Sequence, residues 1–146
     1  MRPIVLVAVI WVGACATTTT DWAPSFVGSW NGSRTMVYGG QSSTVPDFLT
    51  VSATGTNWLK VGHACPANTD ATVGPPATIV SATSFTVGAY TCPTVTTVDG
   101  CSTFVHALSE GEGSLRGPTL TVIELGTATC AGNKALSYTS TFTGTR

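Results

Sequence analysis

The sequence predicts an all-β fold: a small, antiparallel up-and-down barrel of about eight strands stapled by disulfides, with a β-sandwich as the alternative. Three observations predict it. Of 146 residues, 27 are Thr, 16 Gly and eight Pro, against two Met. That composition favours β-branched strands and tight turns over helices. Apolar and polar residues alternate in short runs punctuated by glycine and proline. Beyond the first 15 residues the cysteines number four, an even set suited to two cystines in an oxidising compartment. The length fits one domain. With 9% charged residues and a formal net charge of -1, the chain offers no basic footprint for nucleic acid.

Residues 1–14 place Arg2 before an apolar run at 4–12, followed by the small residues Gly13 and Ala14. The run has about half the length that a helix needs to cross a hydrocarbon core, so it reads as a cleaved signal segment. Val12, Gly13, Ala14 and Cys15 resemble the lipobox of bacterial lipoproteins, with Val12 where Leu most often stands. That resemblance implies cleavage before Cys15, lipidation of Cys15 and a stable membrane anchor of more than one acyl chain. Ala16 after the cysteine implies the outer membrane, with the periplasmic or surface side left open. Residues 15–27 then form a short tether and 28–146 the folded domain. Cleavage leaves 132 residues with five basic and seven acidic side chains.

Within that domain, residues 30–38 alternate Trp30, Gly32, Arg34, Met36 and Tyr38 against mostly smaller positions and predict the first strand. Residues 47–53 and 58–61 form a hairpin about Gly55, and the proline-bearing stretch 62–76 is a long connection. Strands follow at 77–80, 84–91 and 102–108, then a glycine-punctuated loop at 109–118, and strands at 119–125 and 135–143. In the last of these, Leu136, Tyr138, Ser140 and Phe142 share one face.

If the eight strands run up and down in order, the connections at 39–46, 62–76, 92–101 and 126–134 gather at one end, with Cys65, Cys92, Cys101 and Cys130 in or beside them. Four cysteines allow three pairings. The favoured one joins Cys92 to Cys101 across a hairpin mouth and Cys65 to Cys130 between distant loops. The 26, 8 and 28 residues lying between successive cysteines do not suit paired zinc ligands. The opposite end brings Trp30 near Arg146. Gly28-Ser29-Trp30 resembles the Gly-x-Trp signature of lipocalins and related barrels, and the resemblance implies that Arg146 packs across Trp30 as a barrel-closing pair.

No catalytic constellation emerges. Asp47, Asp70, Asp99, Glu110, Glu112 and Glu124 are the candidate carboxylates. Glu110 and Glu112 read as solvated loop charges, whereas Glu124 lies in an apolar strand, where either a cross-strand partner, Arg34, or an outward-facing position accounts for it. His63 reads as a turn residue, His106 as a strand-packing residue, and Trp22 and Trp58 as residues of the tether and of a short strand. No nucleophile elbow or phosphate-binding glycine loop is present. The expectation is a lipid-anchored envelope protein, not an enzyme and without cofactor or metal, with a structural or protein-interaction role. A lipocalin-like binder of a small apolar ligand is the alternative, and a hydrolase a distant third.

Overall fold

The computed structural model describes residues 19–65, 70, 72–94, 103–131 and 133–146. A single-turn helix, α1 (Ala23–Phe26), precedes nine strands: β1 (Gly28–Tyr38), β2 (Gln41–Gly55), β3 (Trp58–Gly62), β4 (Pro76–Ser81), β5 (Ser84–Val87), β6 (Tyr90–Thr91), β7 (Phe104–Arg116), β8 (Thr119–Cys130) and β9 (Leu136–Thr145). They form one antiparallel sheet in the order β5-β4-β3-β2-β1-β9-β8-β7-β6. The long hairpins are set by their turns. Gly39 and Gly40 adopt φ of 52° and 87° between Tyr38 and Gln41, a two-residue connection that only glycines make without strain.

The expected eight-stranded barrel is corrected by this arrangement, and so is the two-sheet sandwich. The sheet curls until β5 meets β7, but only along Ser84–Val87 against Gly111–Ser114. Above that level β2 pairs with β3 only from Thr50 onward, so Gln41 to Leu49 has β1 alone as its strand partner among the described residues. The upper half of β7 has only the two-residue β6 on its outer side. The result is an open-edged, curled sheet, tight at one end and unclosed at the other. The physical reason is length. β3, β4 and β5 have five, six and four residues, whereas β1, β2, β7, β8 and β9 have ten to fifteen.

The core sits in the tight half. Trp30, Leu49, Leu59, Phe85, Leu120, Val122 and Phe142 are at most 1% exposed. Each large apolar side chain buried this way contributes about 1.5–3 kcal/mol. Residues ahead of Gly28, read from sequence as tether, join this core: α1 buries Ala23 and Phe26, and the Phe26 ring meets Phe85 edge-on at 5.2 Å. The Trp30 indole N–H donates to the Phe26 carbonyl at 2.9 Å, and the Asn57 side chain accepts from the Trp22 amide at 3.0 Å. The chain therefore enters the fold at the tight end.

The cystines differ from the expected pairs. Cys65 is bonded to Cys92, joining the connection after β3 to the chain just beyond β6. Cys130 is also disulfide-bonded, and with Cys65 and Cys92 bonded to each other, neither Cys92 to Cys101 nor Cys65 to Cys130 stands. The shortness of β4 and β5 is what brings the ends of β3 and β6 together. Strand direction places Cys65, Cys92 and Cys130 at the open end of the sheet.

Candidate functional site

Two regions carry polar groups in unusual settings. The first fills the interior of the open half. Strand β1 alternates so that Trp30, Arg34, Met36 and Tyr38 face inward, and Arg34 is 5% exposed. A buried guanidinium needs acceptors for its donors. Its Nε donates to Asp47 Oδ2 at 2.6 Å, Nη1 to Glu124 Oε2 at 3.0 Å and to Ser140 Oγ at 2.8 Å, and Nη2 to the His63 carbonyl at 3.2 Å. The Phe142 ring lies 5.7 Å away, between this layer and the apolar core. Four strands and one turn are thus tied to a single side chain.

His63 holds the outer side of the layer. It adopts φ of 61°, an uncommon conformation for a histidine. Its ring stacks on Phe48 at 4.0 Å, while Nδ1 lies 2.8 Å from the Phe48 carbonyl and 3.1 Å from Asp47 Oδ1. Glu124 is 2% exposed, and its Oε1 has no hydrogen-bond partner among the described residues. Burial raises the Glu124 carboxyl above the usual range, against the pull of Arg34 and Ser140.

Above this layer Tyr38, His106 and Tyr138 cluster. The Tyr38 hydroxyl lies 2.8 Å from His106 Nε2, and Tyr138 meets His106 edge-on at 5.1 Å. Burial lowers His106 to about 4, so the ring is neutral near neutrality, and Nε2 shares a hydrogen bond with the Tyr38 hydroxyl. Burial raises both tyrosines, and the Glu124 charge adds to the effect at Tyr138. Gly126 makes this packing possible, because a Cβ there would meet the Tyr138 ring at 2.8 Å.

The second region is on the outer face. Strand β7 carries a bulge between Leu108 and Glu110. Before it, His106 and Leu108 face inward; after it, Gly113 does, and Glu110 and Glu112 both turn outward. The two acids therefore lie within a strand and not in a loop, which corrects the sequence reading. They border two adjoining depressions that share Glu110 and Leu125. One, of about 360 Å³, is lined by Thr86, Glu110, Gly111, Glu112, Ile123 and Leu125. The other, of about 440 Å³, extends across Thr127, Ser137, Thr139 and Val37 toward the Gly39-Gly40 turn.

The remaining sequence candidates fall elsewhere. Arg146 lies over the Trp30 ring at 4.8 Å and donates to the Val27 carbonyl at 3.0 Å. Trp30 and Arg146 thus meet at the tight end, but in a curled sheet and not the lipocalin-like barrel that the Gly-x-Trp resemblance implied. Trp58, for which a short-strand position favours core packing, is instead 54% exposed on β3. Cys15 with the lipobox, Asp99 and Cys101 lie outside the described residues. Among the described residues no three His, Cys, Asp or Glu are placed to hold a metal ion, and no helix is long and apolar enough to cross a membrane. Sequence reasoning named Arg34 and Glu124 as partners but missed Asp47, Ser140 and the His63 carbonyl. The signal for the first two was charge in the middle of a strand; Asp47 stands at the start of the strand read over 47–53, and a serine and a backbone carbonyl carry no charge to read. Comparison of the chain with protein-family models, with curated proteins and with solved structures finds no match.

Proposed function

We propose that this chain is a lipid-anchored protein of the bacterial envelope with a non-enzymatic, protein-interaction role. The observation that carries the reading is the placement of recessed surface. Arg34 and its four acceptors fill the layer above the aromatic core, and the two adjoining depressions lie on the outer face. An occupied interior favours recognition by surface over enclosure of an apolar ligand. The anchor rests on Gly13, Ala14 and Cys15 after a short apolar run. Entry of the chain at the tight end supports an orientation in which the disulfide-bearing end points away from the bilayer.

The test is fractionation of cells expressing the full chain or Cys15→Ala in the presence of labelled palmitate. The expected result is a labelled, membrane-associated wild type cleaved before Cys15 and an unlabelled, uncleaved variant. Equal labelling of the two overturns the anchored reading.

A further inference from the structure

We infer that the outer-face depressions flanked by Glu110 and Glu112 bind an extended segment of a partner protein in which Lys or Arg alternates with aliphatic side chains. The inference rests on the interaction reading above and names the class of partner. Its starting point is the β7 bulge. Bulges re-aim side chains, and this one puts Glu110 and Glu112 on the outer face two residues apart. Across the sheet Glu110 is opposite Leu125, and Glu112 is opposite Ile123. Two parallel rows result, one of carboxylates on β7 and one of aliphatic side chains on β8. Next to them β9 contributes Thr139 opposite Leu125 and Thr141 opposite Ile123.

The charge and the apolar surface are both uncommitted. Neither carboxylate forms an ion pair among the described residues, and Leu125 is 40% exposed in a surface otherwise rich in hydroxyls. Successive outward residues on a strand are about 7 Å apart. An extended segment presents its own side chains with the same period. A cation beside an aliphatic residue therefore matches the acid row and the Ile123-Leu125 row together, whereas an acidic segment meets two like charges. The recessed space is large enough for several side chains, about 360 Å³ and 440 Å³.

The test has two arms. A short fluorescent peptide alternating Lys and Leu is titrated onto the folded protein beside its Glu and Leu counterpart. Saturable binding of the Lys peptide alone is expected. Glu110→Gln combined with Glu112→Gln should weaken it about tenfold at low salt and flatten its salt dependence. Leu125→Ser should weaken it about fivefold and leave the salt dependence unchanged. All three positions are exposed or bordered by solvent, so folding is checked by the unchanged far-ultraviolet spectrum. Equal binding of the two peptides, or no effect of the acid substitutions, overturns the inference.

In the second arm a photoreactive residue replaces Leu125, or Ser52 on β2, in cells expressing the full chain. Adducts at position 125 whose partner peptide carries Lys or Arg beside the captured site support the inference. Protein adducts at position 52 only, or acidic partner peptides at 125, overturn the docking site and leave the interaction reading standing. Absence of protein adducts at both positions overturns the two together.

Discussion

At the scale of single residues, the interior of this protein is organised by compensation of buried polar groups. Arg34 is held by two carboxylates, a hydroxyl and a carbonyl. Removing one member would leave the others desolvated and unpaired, which costs far more than the net contribution of the intact group. The sequence showed Arg34 and Glu124 as charges on strand faces that ought to be apolar, which left Glu124 either paired with Arg34 or facing outward; in the fold they meet. It did not pair Asp47 with them, because Asp47 stood at the first position of the strand read over 47–53, where a charge is ordinarily solvated. His106 illustrates compensation by loss of charge. Its ring is held neutral by burial down to about 4, below the ordinary 6.5. Between those values the unfolded chain binds a proton that the folded chain does not. Stability from this group is therefore complete above about pH 6.5 and is lost as pH falls toward 4. After allowance for solvent screening the change amounts to about 1–2 kcal/mol. Urea unfolding of wild type and His106→Gln at pH 7 and pH 4.5 checks it: the gap between the two proteins should narrow by that amount at the lower pH. A constant gap would show that His106 does not titrate in this window.

At the scale of elements, periodicity carried the reading wherever strands are regular and failed where β7 changes phase. Residues 136–143 alternate cleanly and lie in β9, and the strand read over 119–125 lies in β8. The run from 109 to 118 has glycines at 111, 113 and 117 and breaks alternation, so it read as a loop. In the fold, β7 continues through it to Arg116, the bulge absorbs the phase change, and Gly111 and Gly113 are spacers. Gly113 shows why glycine is compatible with a strand here. A Cβ at this position would lie 2.0 Å from the Phe85 ring. That ring is 1% exposed and braced by Phe26, so it has little room to swing away. Gly113→Ala should therefore destabilise the protein by about 1–3 kcal/mol, despite the better strand propensity of alanine. Adding Phe85→Leu should recover part of that loss, a coupling of at least about 0.5 kcal/mol in a double-mutant cycle of urea midpoints. Simple additivity of the two substitutions would mean that Phe85 is not what excludes a side chain at position 113.

At the scale of the whole molecule, the all-β class and the gathering of disulfide-bearing connections at one end were legible from composition and strand direction. Closure and pairing were not. A barrel was inferred from strand count, but closure depends on matched strand lengths, and β3 to β5 are too short to follow β2 and β7 to the open end. The same shortness decides the cystine. Counting cysteines left three pairings, and only the three-dimensional neighbourhood of the β3 and β6 ends selects Cys65 with Cys92. That bond spans the part of the molecule where strand pairing is missing, so it substitutes a covalent link for hydrogen-bonded closure. With a sequence separation of 27, the loop it closes restricts the unfolded chain by about 3–4 kcal/mol. Non-reducing peptide mapping should recover a Cys65-Cys92 peptide, and replacement of both residues by Ser should lower the unfolding free energy by about 3 kcal/mol and Tm by roughly 10 °C. Because the outer-face depressions are built on the long strands β1, β7, β8 and β9, with Thr86 of β5 at one margin, binding of the Lys and Leu peptide should persist in this variant below its unfolding transition. Loss of peptide binding at a temperature where the variant is still folded would show instead that the bond shapes the outer face, and that the two ends of the sheet are mechanically coupled.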